Sequence, residues 1–112
     1  MKARETALRL KRFEADEKNR KVQELEQMIR EFEQMAHDLE RQVKAEEERT
    51  GVRDQQHFAY STFARSADQR RQNLLASVSD LQEKLQFAVV ERDDVLAELD
   101  EVDALRDRDD QR

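Results

Sequence analysis

Metal ligation and proton transfer near neutral pH fall most readily to histidine. This 112-residue sequence has two, His37 and His57, and no cysteine. Neither histidine belongs to an HExxH arrangement, so the plain reading of each is a surface or turn residue. Without cysteine there is no disulfide, no thiol chemistry and no Cys-rich zinc site. A lone glycine, Gly51, cannot build a glycine-rich phosphate loop. Carboxylates are plentiful, at 27 Asp and Glu, but acid–base work needs a pocket that shifts their pKa values. A slender pair of helices offers none. The expectation is a protein that is not an enzyme and needs no cofactor or metal.

What remains is recognition chemistry. His57, Phe58, Tyr60 and Phe63 crowd into one short stretch of a chain with five Phe, one Tyr and no Trp. Such rings either fold over the end of a helix pair and plug its seam, or form an exposed patch that docks on a partner. Leu10, Phe13 and Phe87 are further candidates for outward apolar contacts.

The elements that carry these residues follow from spacing. From Val22 the apolar positions run Val22, Leu25, Ile29, Phe32, Ala36, Leu39 and Val43. Steps alternating three and four give the period of a left-handed coiled-coil seam. Glu24, Glu26, Glu31, Glu33 and Glu40 lie around it, and His37 falls on the solvated face. Carried toward the start, this register puts Lys18 and Lys11 on the seam and Leu10 and Phe13 off it. Either the register slips through a stutter, or Leu10 and Phe13 project outward, framed by Lys2, Arg4, Arg9, Lys11 and Arg12. A basic first turn opposes the helix dipole, so local helix stability does not account for those charges.

Thr50-Gly51 ends the first helix, because glycine adopts the left-handed conformation of a C-cap. Ser61 or Thr62 offers an N-cap hydroxyl for a second helix, and Asp54 a cap for a short turn between them. The return seam reads Leu74, Val78, Leu81, Leu85, Ala88, Arg92, Val95, Leu99 and Val102. Upstream the same register passes through Tyr60, Ala64, Ala67 and Arg71. Folding the chain about Gln55 sets Val22 by Ala88, Leu25 by Leu85, Ile29 by Leu81, Phe32 by Val78 and Ala36 by Leu74, always a with d. The same register sets Lys18 facing Arg92, both reaching to the seam edges for Glu14, Glu91 or Asp94. The expected fold is all-α, a single antiparallel two-helix coiled-coil hairpin over 1–112. Its first helix covers about 3–49, a connector about 50–60, the second helix about 61–106, and a frayed tail 107–112.

Composition supports long helices: 43% of residues are charged, and there is no proline. The net charge of −6 argues against general nucleic-acid or membrane-surface binding. No apolar run approaches the roughly 20 residues of a membrane span, and the basic start lacks the apolar core of a secretory signal. Charge is uneven along the chain. Residues 1–21 carry eight basic and four acidic side chains, whereas 74–112 carry five and twelve. The hairpin therefore sets a basic helix start beside an acidic helix end.

Two stretches extend the reading. MKARETALRLKRFEADEKNRKVQELEQMI at the start, and RTGVRDQQHFAYSTFARSADQRRQNL across the turn, resemble the alphaproteobacterial branch of the FliJ family of flagellar export proteins. The resemblance spans most of residues 1–106, with HFAY its more distinctive part; typical members run longer at the C-terminus. It implies a soluble, cytoplasmic component at the base of the flagellum, in the type III export apparatus. It also implies a fold like the central stalk of rotary ATPases. The end holding both termini would enter the export ATPase ring, the hairpin would also contact the export gate protein, and the family takes part in handling export chaperones. On this sequence Leu10 and Phe13, beside the second helix near Leu99 to Leu105, would face the ring. Phe58, Tyr60, Phe63 and Phe87 are the remaining contact candidates. Membrane association would be peripheral, through partners, and the free chain a monomer. The alternative is a self-associating structural scaffold or adaptor, burying Leu75, Val89 and Leu96 against a second hairpin.

Overall fold

A computed structural model describes residues 2–111. It is an all-α hairpin of two antiparallel helices, α1 (Lys2–Thr50) and α2 (Thr62–Asp110), each of 49 residues. Among the described residues there is no strand, and no helix is long and apolar enough to cross a membrane. The chain divides into two compact units, one of Met1–Glu26 with Glu83–Arg112, the other of Gln27–Gln82.

In the unit of Gln27–Gln82, the seam side chains Ile29, Ala36, Leu39, Val43, Val78 and Leu81 are buried. Near the turn the core tightens into Leu39, Val43, Tyr60, Ala64 and Ala67, with Val52 and Leu74 packed against it. Ala64 is wholly inaccessible to solvent. Small residues at 64 and 67 leave room for the Tyr60 ring between the helices, by the interdigitation that dense packing requires.

The connector begins at Gly51, whose φ of 75° is the left-handed conformation expected of a C-cap. Its N–H donates to the Glu47 carbonyl at 2.9 Å. The Asp54 carboxylate accepts from the Gln56 N–H at 2.9 Å, forming the local turn foreseen for it. Of the two candidate caps for α2, Ser61 takes the role: its Oγ accepts from the Ala64 N–H at 3.2 Å.

In the other unit the register of α1 continues without a stutter. Leu8 and Ala15 are buried, two further heptads back from Val22 on the same seam position, while Leu10 and Phe13 point to solvent. Spacing does not reveal those two inward residues, because Lys11 and Lys18, on the seam positions between Leu8, Ala15 and Val22, hide the repeat. Lys18 Nζ donates to Glu91 at 3.1 Å and Arg92 Nη1 donates to Asn19 at 3.3 Å. The two helices therefore meet in the register that sets Lys18 opposite Arg92.

The helices also run slightly past their expected ends. Instead of giving way to an irregular tail at 107, α2 continues to Asp110, and the Gln111 N–H still reaches the Asp107 carbonyl at 3.2 Å. The Asp109 carboxylate pairs with Arg4 on α1, which holds that last turn beside its neighbour. Residue 112 lies outside the described residues.

Candidate functional site

Two apolar surfaces stand out, one in each unit. The first is built on α1. Leu10 and Phe13, three residues apart on one helical face, are each 64% exposed. They sit outward because Leu8 and Ala15 occupy the seam. Of the five basic residues expected around them, three turn to acids instead. Arg4 pairs with Asp109, Lys11 with Glu98 and Glu14, and Arg12 with Asp103. The Glu98 hydrogen bond, then that of Glu14, raises the Lys11 pKa above the usual lysine value. These pairs bind the start of α1 to the end of α2 and leave Lys2 and Arg9 on the exposed side with Leu10 and Phe13. Across the seam, Leu105 is half exposed near the end of α2. A small groove of about 110 Å³ opens there between Arg4, Leu8, Val102 and Arg106.

Phe87 belongs to the same unit and is 73% exposed, with Val90 next to it on the same face of α2. Val90 escaped the sequence reading, although its spacing of three from Phe87 was the available signal.

The second surface surrounds the connector, where the four clustered rings separate into two roles. Tyr60 is buried in the seam, so its ring serves the hairpin's own core and is withdrawn from any exposed patch. Phe63 is half exposed on α2, and Phe58 is 96% exposed in the turn. The Phe58 ring stacks on His57, with centroids 4.6 Å apart. His57 also holds the backbone, since its Nδ1 accepts from the Ala59 N–H at 2.9 Å and its carbonyl from the Tyr60 N–H at 3.0 Å. Arg65 clamps the turn from α2, donating to the Gln55 carbonyl at 2.9 Å while its guanidinium lies 5.5 Å from the Tyr60 ring centroid. The loop that presents Phe58 is thus fixed on both sides, which lowers the ordering cost of docking the ring on a partner.

Beneath this turn, Glu47 and Glu46 close the hairpin. The Tyr60 hydroxyl donates to Glu47 Oε2 at 2.7 Å, and the Ser61 hydroxyl to Glu46 Oε1 at 3.1 Å. Burial, then the Glu47 carboxylate, pushes the Tyr60 phenol up to about 12. Arg49, bonded to Glu46, holds that carboxyl below the usual range; partial desolvation opposes the shift and Ser61 adds to it.

His37 lines a shallow cleft with Glu33, Glu40, Arg71 and the exposed Leu75. Met28 and Met35, seven residues apart on the edge of the α1 seam, are also partly open to solvent. Among the described residues no group of His, Cys, Asp and Glu is arranged to hold a metal ion.

Compared with models of known families, with curated proteins and with solved structures, the chain matches none.

Proposed function

We propose that this chain is a non-enzymatic coiled-coil stalk of a flagellar type III export apparatus. In this reading it works in the cytoplasm at the flagellar base, where it binds the export ATPase ring, couples it to the export gate and takes part in handling export chaperones. Support comes from the residues at the start and across the turn that resemble FliJ-type proteins. The observation that carries the reading is the outward placement of Leu10 and Phe13. Two large apolar side chains exposed side by side on one helical face, with Lys2 and Arg9 at their rim, make the kind of surface that a partner covers. The ring would grip this face, and the gate would meet the turn, where Phe58 and Phe63 are presented. Phe87 is held as a third contact.

A pull-down of the export ATPase and gate by this chain tests the reading. Leu10→Ala with Phe13→Ala should reduce ATPase capture while circular dichroism shows the helices intact. Unchanged capture would remove the ring-facing assignment.

One observation favours a second reading, a self-associating scaffold: Leu75 and Leu96 are partly exposed along the flank of the α2 seam. A tight, salt-resistant dimer at low micromolar concentration supports the scaffold, and a monomer at that concentration supports the stalk.

A further inference from the structure

We propose that the outward faces of the two helices recognise each other between copies of this chain, α1 of one copy lying antiparallel on α2 of the next. Both faces belong to the unit of Met1–Glu26 with Glu83–Arg112. On α1 the face presents Lys2, Ala3, Thr6, Arg9, Leu10 and Phe13, and its first acid is Glu17, one turn beyond Phe13. On α2 it presents Phe87, Val90, Asp93, Asp94, Ala97 and Asp100, with no base among them. All twelve residues are exposed. Each face carries large exposed apolar groups, with Leu10 and Phe13 each at 64%, Phe87 at 73% and Val90 at 58%.

The match between the two faces is positional as well as chemical. Each carries a row stepped three, four, three: Ala3, Thr6, Leu10 and Phe13 on α1, and Phe87, Val90, Asp94 and Ala97 on α2. That is the stepping by which two helices interdigitate. Set antiparallel with Phe13 on Phe87, the other layers follow: Leu10 on Val90, Thr6 on Asp94, and Ala3 on Ala97. The flanking charges then meet in pairs, Arg9 with Asp93 and Lys2 with Asp100. Arg9 is available for this role because the seam-side bases Arg4, Lys11 and Arg12 are the ones taken by α2 acids of the same copy. Asp93 holds Arg92 of its own helix at 3.1 Å and keeps an exposed carboxylate.

The alternatives are disfavoured by the same residues. A slip of one heptad in either direction puts Phe13 against Asp94 or Asp80, burying a carboxylate beside an aromatic ring without a partner. The two one-heptad slips are thereby disfavoured.

The two faces differ and look away from the seam in opposite directions. Each copy can accept a neighbour on either side, and the contact is heterologous, generating open rows and not a closed pair. Four layers of side chains make a small interface, so the association is weak, and its charge pairs make it salt-sensitive. This inference is independent of the flagellar reading and uses no partner from it. A ring that grips Leu10 and Phe13 would compete with it for the same face.

Sedimentation velocity of the purified full chain at low ionic strength, over increasing protein concentration, tests the inference. The sedimentation coefficient should rise continuously without a plateau at dimer, and added salt should reverse it. Phe13→Ala and Phe87→Ala should each weaken association by about tenfold, with helicity unchanged because both rings are exposed. Arg9→Asp and Asp93→Arg should each weaken it alone. An equimolar mixture of those two variants should regain it, because every α1–α2 contact between unlike copies again pairs opposite charges. A chain that stays monomeric at high concentration and low salt would overturn the proposal and leave these faces to a foreign partner. So would a discrete dimer indifferent to these substitutions, or a mixture that associates no better than its components.

Discussion

The Tyr60 hydroxyl donates to Glu47 Oε2 at 2.7 Å, joining the residue that leads into α2 to the last turn of α1. The ring behind that hydroxyl is buried among Leu39, Val43, Ala64 and Ala67. Arg65 covers its face, and Ser61, its neighbour in sequence, reaches Glu46. A single side chain thus fills the seam where the helices part and fastens the polypeptide on both sides of the turn. The exposed Phe58 is held in place by what Tyr60 anchors.

Replacing this residue separates the two contributions. Tyr60→Phe keeps the packed ring and loses the hydroxyl bond, a cost of about 1 kcal/mol. Tyr60→Ala removes the ring from between two helices and should cost about 3–5 kcal/mol. Urea unfolding followed by helical circular dichroism measures both. Equal effects for the two variants would mean that the hydroxyl, and not the ring, holds the turn.

The same contact makes stability fall at alkaline pH. In the folded chain burial, then the bond to Glu47, pushes the phenol up from its ordinary 10.0 to about 12. Between those values the folded state keeps a proton that the unfolded state has lost, so stability is full below about pH 10 and declines as pH rises through the window. At the acid edge the sign reverses. Glu46, lowered by its bond to Arg49, contributes stability above its unfolded value of 4.5 that disappears as the pH falls through its depressed folded value. With one tyrosine and no tryptophan in the chain, phenolate absorbance reports on Tyr60 alone. A midpoint at the ordinary tyrosine value would contradict the buried hydroxyl. Tyr60→Phe should weaken the alkaline slope, part of which Lys11 retains through its bonds to Glu98 and Glu14, and Glu46→Gln should weaken the acid one.

Gly51 offers a test of the turn from the backbone side. A Cβ there would meet nothing within 4 Å, so space does not demand glycine. The φ of 75° does, because it disfavours any side chain. Gly51→Ala should destabilise the hairpin by about 1 kcal/mol, and Gly51→Asn by less, since asparagine tolerates this region. Matching thermal melts for wild type and Gly51→Ala would show that the chain can turn without the left-handed residue.

How far the sequence foretold this molecule depended on how loud each pattern was. The seam from Val22 to Val43 is seven consecutive apolar positions, and the burial of all but the half-buried Phe32 follows directly from the heptad. Gly51, Asp54 and Ser61 act in the turn as their backbone preferences and side-chain acceptors require. The continuation through Leu8 and Ala15 was obscured because Lys11 and Lys18 occupy the intervening seam positions. Long side chains can hold such a position by their methylene stems while the charge reaches an acid at the edge, as Lys18 does with Glu91. The ring cluster was visible as composition, and the return register through Tyr60, Ala64 and Ala67 marks the one ring of the four that turns inward. Val90 went unnoticed because an isolated valine in a polar background carries little signal until Phe87 is seen to share its face.

The Lys18 and Arg92 layer shows a seam position given to charge. Arg92 Nη1 donates to Asn19 at 3.3 Å and its Nε to Asp93 at 3.1 Å, while Lys18 leaves the seam for Glu91. None of these groups is fully buried, so the ion pairs contribute little, each within about 0–1 kcal/mol. The apolar contacts that leucines would make at the same level are forgone. Replacing both, Lys18→Leu with Arg92→Leu, should therefore stabilise the hairpin by about 1–4 kcal/mol. Lys18→Leu alone should gain less, because Arg92 still occupies the seam opposite. The double variant should also tolerate alternative alignments of the helices more readily, since a polar layer that resists slippage is gone. Urea midpoints measure the gain, and a pair of spin labels on exposed sites of α1 and α2 measures the alignment. A destabilised double variant would show that the charged layer holds the helices together and does more than fix their register.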